Sequence, residues 1–202
     1  PDALATYREL LGKMVAEFPD HPRRAVARLE LGESYIEAGE LDDALAQTKA
    51  WDKAGEVDLS AEWYAIAQQR RQRKEFPVAQ KMCEEIVSRY PDGAATGAAY
   101  LTLARLHQAA GREEEMLAAY KQAAHSKSVD THFSVMDAGN TKSQAHEFLG
   151  EYYMQQEDYR EALRWWEEWQ PHSWCGNCLW SMQATRKKQI EICREKLKLA
   201  GE

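Results

Sequence analysis

One pairing of residues returns four times along this chain: Leu31-Gly32, Ile66-Ala67, Leu103-Ala104 and Leu149-Gly150. The small members lie 35, 37 and 46 residues apart. A large apolar residue followed by a small one, at such intervals, points to a stack of like units, each too small to bury its own apolar face. The surroundings of each pair agree. Apolar residues recur at spacings of three and four, the mark of amphipathic helices, and strand-like alternation is almost absent. In residues 27–47, Leu31, Gly32 and Tyr35 line one face of a first helix. Gly39 breaks it, and Leu41, Ala44 and Leu45 open a second, which makes a helical hairpin on a short connection.

Further columns keep the same phase. Three positions after the small residue stand Tyr35, Arg70, His107 and Tyr153; seven after stand Gly39, Lys74, Gly111 and Glu157, where the turn is expected. Twelve after come Ala44, Ala79, Met116 and Ala162, small again where helices cross, with Met116 the exception. Thr48, Cys83, Tyr120 and Trp166 follow, then Trp51, Ile86, Ala123 and Trp169. These columns resemble the tetratricopeptide repeat, a helix–turn–helix unit of about 34 residues. The second unit carries Trp63, Ile66, Ala67, Ala79 and Pro91 in the family's places; the first and fourth carry Leu-Gly-x-x-Tyr and the later alanine. The resemblance implies an all-α, right-handed α-solenoid. Its expected repeats are 22–56, 57–93, 94–130 and 141–172, after a helix of a preceding partial repeat at 1–21 and before a capping helix at 173–202. The third step is long, and its extra residues fall within 125–143. They read as a surface loop or as a lid, with Phe133, Val135 and Met136 apolar enough to dock on neighbouring helices.

Charge narrows the function. The net charge of −7 and pI near 5.5 lack the basic footprint of a nucleic-acid binder. The one basic run, Arg70, Arg71, Arg73 and Lys74, reads either as the solvated end of a helix or as a nucleic-acid or phosphate patch, the first being the commoner case. No stretch approaches the roughly 18 apolar residues of a membrane span, so no membrane insertion is expected. No signal peptide is visible. The chain opens on Pro1 and Asp2, so the expectation leans to the cytoplasm, with a periplasmic home open if an export signal preceded Pro1.

The stretch SWCGNCLW, residues 173–180, is the one with reactive chemistry. Ser173 is placed to cap the last helix, so Cys175 and Cys178 fall in its first turn, where partial positive charge lowers a thiol's pKa. The five-residue Trp-Cys-Gly-x-Cys resembles the thioredoxin active site, but that site needs a strand upstream, and everything upstream here is helical. A metal reading takes His172, Cys175 and Cys178. Zinc in a structural site wants a fourth ligand, and Cys193 is roughly 22 Å further along a continuous helix; His125 or His132 would have to serve. The third reading is packing: Trp165, Trp166, Trp169, Trp174 and Trp180 weld the last repeat to its cap, and the thiols act as small apolar side chains. Cys83 and Cys193 sit on apolar stripes and read as core.

No catalytic constellation and no cofactor motif appears. His107 and His146 fall in columns that face neighbouring helices. In tetratricopeptide proteins the first helix of each unit lines a concave surface. The resemblance therefore implies a partner-binding face of Glu33, then Tyr64, Gln68 and Arg71, then Leu101, Arg105 and Gln108, then Glu147 and Glu151, with Leu29, Ile36 and Met154 beside them. The middle units supply arginines and the outer ones glutamates, a pattern for a peptide with an acidic centre and basic flanks. The expected function is a non-catalytic adaptor that binds another protein or peptide, as a free scaffold or as a subunit of a larger assembly. The alternative is a thiol- or metal-dependent regulator at Cys175 and Cys178. The segment FPDHPRRAVARLELGESY is also similar to bacterial envelope-assembly repeat proteins.

Overall fold

A computed structural model describes residues 3–52, 58–127, 141–171 and 176–201. Among these residues every regular element is a helix: α1 Ala3–Glu17, α2 Arg24–Glu37, α3 Leu41–Asp52, α4 Ser60–Gln72, α5 Phe76–Arg89, α6 Thr96–Ala109, α7 Glu113–His125, α8 Thr141–Gln155, α9 Tyr159–Glu168 and α10 Gly176–Leu199. The chain divides into two compact units, residues 1–93 and 94–202. The first holds hairpins α2/α3 and α4/α5, with α1 packed on α2. The second holds α6/α7 and α8/α9, with α10 packed on α9.

The hairpin turns are built alike. Gly39, Lys74, Gly111 and Glu157 all adopt positive φ, between 58° and 76°. In each turn that residue's N–H donates three residues back, to Ile36, Arg71, Gln108 or Met154. The next N–H donates five back, to the carbonyls of Tyr35, Arg70, His107 and Tyr153. This is the Schellman closure, which satisfies the last carbonyls of a helix and needs one left-handed residue. Two hairpins supply glycine; the other two hold Lys74 and Glu157 in a conformation that costs an L-residue about 1 kcal/mol. The second helices then start with local help: acidic residues in the first turns of α3 and α7, Pro77 at the start of α5, and the Asp158 carboxylate accepting the Glu161 N–H at 3.1 Å before α9.

The core follows the columns. Leu31, Ile66, Leu103 and Leu149 are buried, as are Ala67, Ala104, Ala44, Ala79, Met116 and Ala162. So are Thr48, Cys83, Tyr120 and Trp166, and Trp51, Ile86, Ala123 and Trp169. The small residues let the paired helices approach. The ring of Trp51 lies against Gly32 and that of Trp166 against Gly150. At the end of the second unit, Trp166, Trp169, Met182 and Cys193 form one apolar cluster, with Tyr153, Met154 and Ile190 against it. Arg186 of α10 donates to the carbonyls of Trp166 and Glu167 at 2.9 and 2.8 Å, closing the C-terminus of α9. One expectation fails here. Trp180 does not help to weld α10 to its neighbour: it is 73% exposed, on the side of α10 opposite Met182 and Cys193. Trp174 lies outside the described residues, as do His132, Phe133, Val135 and Met136.

Candidate functional site

The residues that sequence places on a binding face lie on α2 and α4 in the first unit and on α6 and α8 in the second. On α4, Arg71 Nε donates to Gln68 Oε1 at 2.8 Å, and the Gln68 amide donates to the Tyr64 hydroxyl. The three side chains form one chain of bonds along the helix. Tyr64 is buried, so it serves as the anchor, while Gln68 and Arg71 are half-buried. Glu33 on α2 is exposed. It acts on Glu62 of α4, whose carboxyl is raised above its ordinary 4.5 chiefly by burial, with Asp58 and Glu33 adding repulsion. One Glu62 oxygen is buried without a hydrogen-bond partner.

On the second unit, Arg105 is exposed and its Nη2 donates to Gln144 Oε1 of α8 at 2.6 Å. Its charge and a hydrogen bond also reach Tyr120 of α7; burial nevertheless raises the Tyr120 phenol. Tyr120 stacks on Phe148 with ring centroids 3.7 Å apart, and Tyr152 continues the aromatic row at 6.3 Å while its hydroxyl donates to Glu113. Glu147 is half-buried, and burial first, then the neighbouring Glu151, raises its carboxyl. Glu151 and Gln108 are exposed; Leu101 is buried and has little to offer a partner. Gln144, Tyr120, Phe148, Tyr152 and Glu62 were missed from sequence. Tyr120 belongs to a core column, and nothing in the repeat pattern marks a core tyrosine as the neighbour of an exposed arginine.

Two members of the basic run are spent on the hairpins. Arg70 pairs with Asp42 of α3 and, at 2.7 Å, with Glu75. Arg73 Nη2 donates to the Gly39 carbonyl at 2.8 Å. Each thus ties the α4–α5 turn to the preceding hairpin, while Lys74, exposed, supplies the left-handed residue of that turn. Of the thiol and metal candidates, His172 and Cys175 lie outside the described residues, and Cys178 is half-buried in the first turn of α10. Cys83 and Cys193 are fully buried; burial pushes the Cys83 thiol up to about 12 and raises that of Cys193. Among the described residues no group of three metal-binding side chains comes together, and no helix is long and apolar enough to cross a membrane.

No family model and no curated protein matches this chain. Among solved structures it is similar to MamA, at 15% identity over 92% of this chain and 89% of that one, with a TM-score of 0.50. It is similar also to BtubC (BKLC) from P. vanneervenii, at 15% identity over 98% and 91%, with a TM-score of 0.51. A tetratricopeptide repeat protein from Parabacteroides merdae aligns more loosely, at 14% identity and a TM-score of 0.47. The fold is an all-α solenoid of the tetratricopeptide type. At such identity the likenesses speak for the fold alone; the four left-handed turns and the buried small-residue columns are its local signature in this chain.

Proposed function

We propose that this chain is a non-catalytic protein-interaction scaffold, binding acidic segments of a partner through the polar face of α2/α4 in one unit and that of α6/α8 in the other. The supporting observation is the setting of Arg71 and Arg105. Each guanidinium is oriented by a glutamine oxygen, Gln68 or Gln144, and Arg105 also by Tyr120. A guanidinium has five donors, so one acceptor fixes its direction and leaves others to grip a carboxylate. Such preorganisation lowers the ordering cost of binding. Glu33 on the first face and Glu147 and Glu151 on the second would favour basic residues flanking the acidic ones.

The test begins with a partner co-purified from the native source and narrowed to a peptide. Arg71→Glu should weaken binding tenfold or more, since a hydrogen-bonded charge pair desolvated in an interface loses about 2–5 kcal/mol when one side is removed, and Arg105→Glu, at an exposed position, should weaken it less. Circular dichroism should remain that of the parent chain. Undiminished binding in both variants would refute the assignment of these faces.

A further inference from the structure

A cluster that binding does not use joins three helices of the second unit. His125 closes α7, His146 lies in the second turn of α8, and Trp165 is on α9. The ring centroids of the two histidines are 6.3 Å apart; Trp165 is 5.4 Å from His125 and 5.7 Å from His146. Each imidazole has its Nδ1 against the carbonyl four residues back, Lys121 at 2.9 Å and Lys142 at 2.8 Å. A carbonyl only accepts, so Nδ1 carries the proton in both rings and Nε2 is where a second proton must go. The two rings differ in what awaits that proton. His125 is exposed, and its Nε2 lies 3.7 Å from the Glu168 carboxylate. His146 is only 8% exposed.

We propose that this cluster is an acid-sensitive joint: α7, α8 and α9 pack together while His146 is neutral, and their packing loosens when acid protonates it. The groups acting on His146 come from each packed element. Its own helix contributes Lys142, α7 contributes His125, with Lys121 nearby, and α9 contributes Glu168, with Arg164 lying over Trp165 at 5.0 Å. Burial is the main force holding His146 below its ordinary 6.5, and a charged His125 adds to it; only Glu168 and the Lys142 carbonyl oppose. A charge on His125 stands against a second charge at His146. The sign follows from linkage. Above 6.5 both states are neutral and the joint has its full strength. As pH falls from 6.5 towards the lower folded value, the opened state takes the proton more readily and the joint weakens, about tenfold in opening constant for each unit between the two values.

Imidazole proton resonances followed from pH 8 to 4 on the whole chain test this directly. His146 should titrate below 6.5, and should move upward in His125→Gln. In parallel, hydrogen exchange corrected for intrinsic rate should rise at pH 5 over pH 7.5 in peptides from 113–125 and 141–168, while peptides from 76–89 hold steady. His146→Gln should abolish that rise. A His146 that titrates at or above 6.5, a titration unmoved by His125→Gln, or an equal rise in His146→Gln would each overturn the proposal. Should His146→Gln fail to fold, the titrations of the parent chain and of His125→Gln decide alone.

Discussion

The α2/α3 hairpin and the α8/α9 hairpin each set a tryptophan ring against a column glycine, and they do so differently. At Gly32 an added methyl would sit 3.5 Å from the Trp51 ring, an ordinary contact. At Gly150 it would sit 2.5 Å from the Trp166 ring, which is fully buried and bonded through its indole N–H to the Met154 sulfur at 3.3 Å. Trp51 stands one helical turn later in its hairpin than Trp166 does in the other. The equivalent of Trp51 is Trp169. A glycine in a repeat column can therefore be a residue of habit or a residue of necessity, and only the opposing side chain tells which.

Substitutions should separate the two cases. Gly150→Ala should have the largest effect, a loss of about 1–3 kcal/mol from overpacking that outweighs the helix-propensity gain; an unchanged urea midpoint would show that Trp166 can retreat. Lys74→Gly and Glu157→Gly should each raise stability, by about 1 kcal/mol or less, through release of left-handed strain. The same thermal melts would show no gain if side-chain contacts rather than sterics set those φ values. Gly32→Ala should be neutral to mildly stabilising, at most about 1 kcal/mol, and a marked loss would mean that α2 and α3 approach more closely than the 3.5 Å gap implies. The smallest effect belongs to Glu62→Gln. A carboxyl raised by burial is penalised only while charged, so the variant should melt higher at pH 7 and no differently below 4.5.

The repeat was legible because its demands are steric. A helix crossing accepts only a small residue, a Schellman turn forces one left-handed residue, and both recur in register, so Ala67 and Ala104 could be placed from spacing alone. Lys74 and Glu157 show the limit of composition: no turn-former marks them, and phase with Gly39 and Gly111 was the signal. The proposed binding face was less legible. Arg71 and Arg105 lie on the first helices of their hairpins, yet the glutamines that orient them follow no common spacing: Gln68 is on the same helix, Gln144 on the next hairpin. The fates of Arg70 and Arg73 were hidden for a similar reason, since their partners Asp42 and Gly39 lie 28 and 34 residues away. Trp180 was misjudged because it follows a row of buried tryptophans, whereas its angular position on α10 turns it outward.

The four turns share one closure made by their own amide groups, to which Arg70, Arg73 and Asp158 only add local side-chain bonds. Residues 35–40, 70–75, 107–112 and 153–158 are in that sense interchangeable parts. Swapping the segment that contains Glu157 for the one that contains Gly111 should leave the route of the chain untouched, which makes the connectors the natural place to graft foreign sequence.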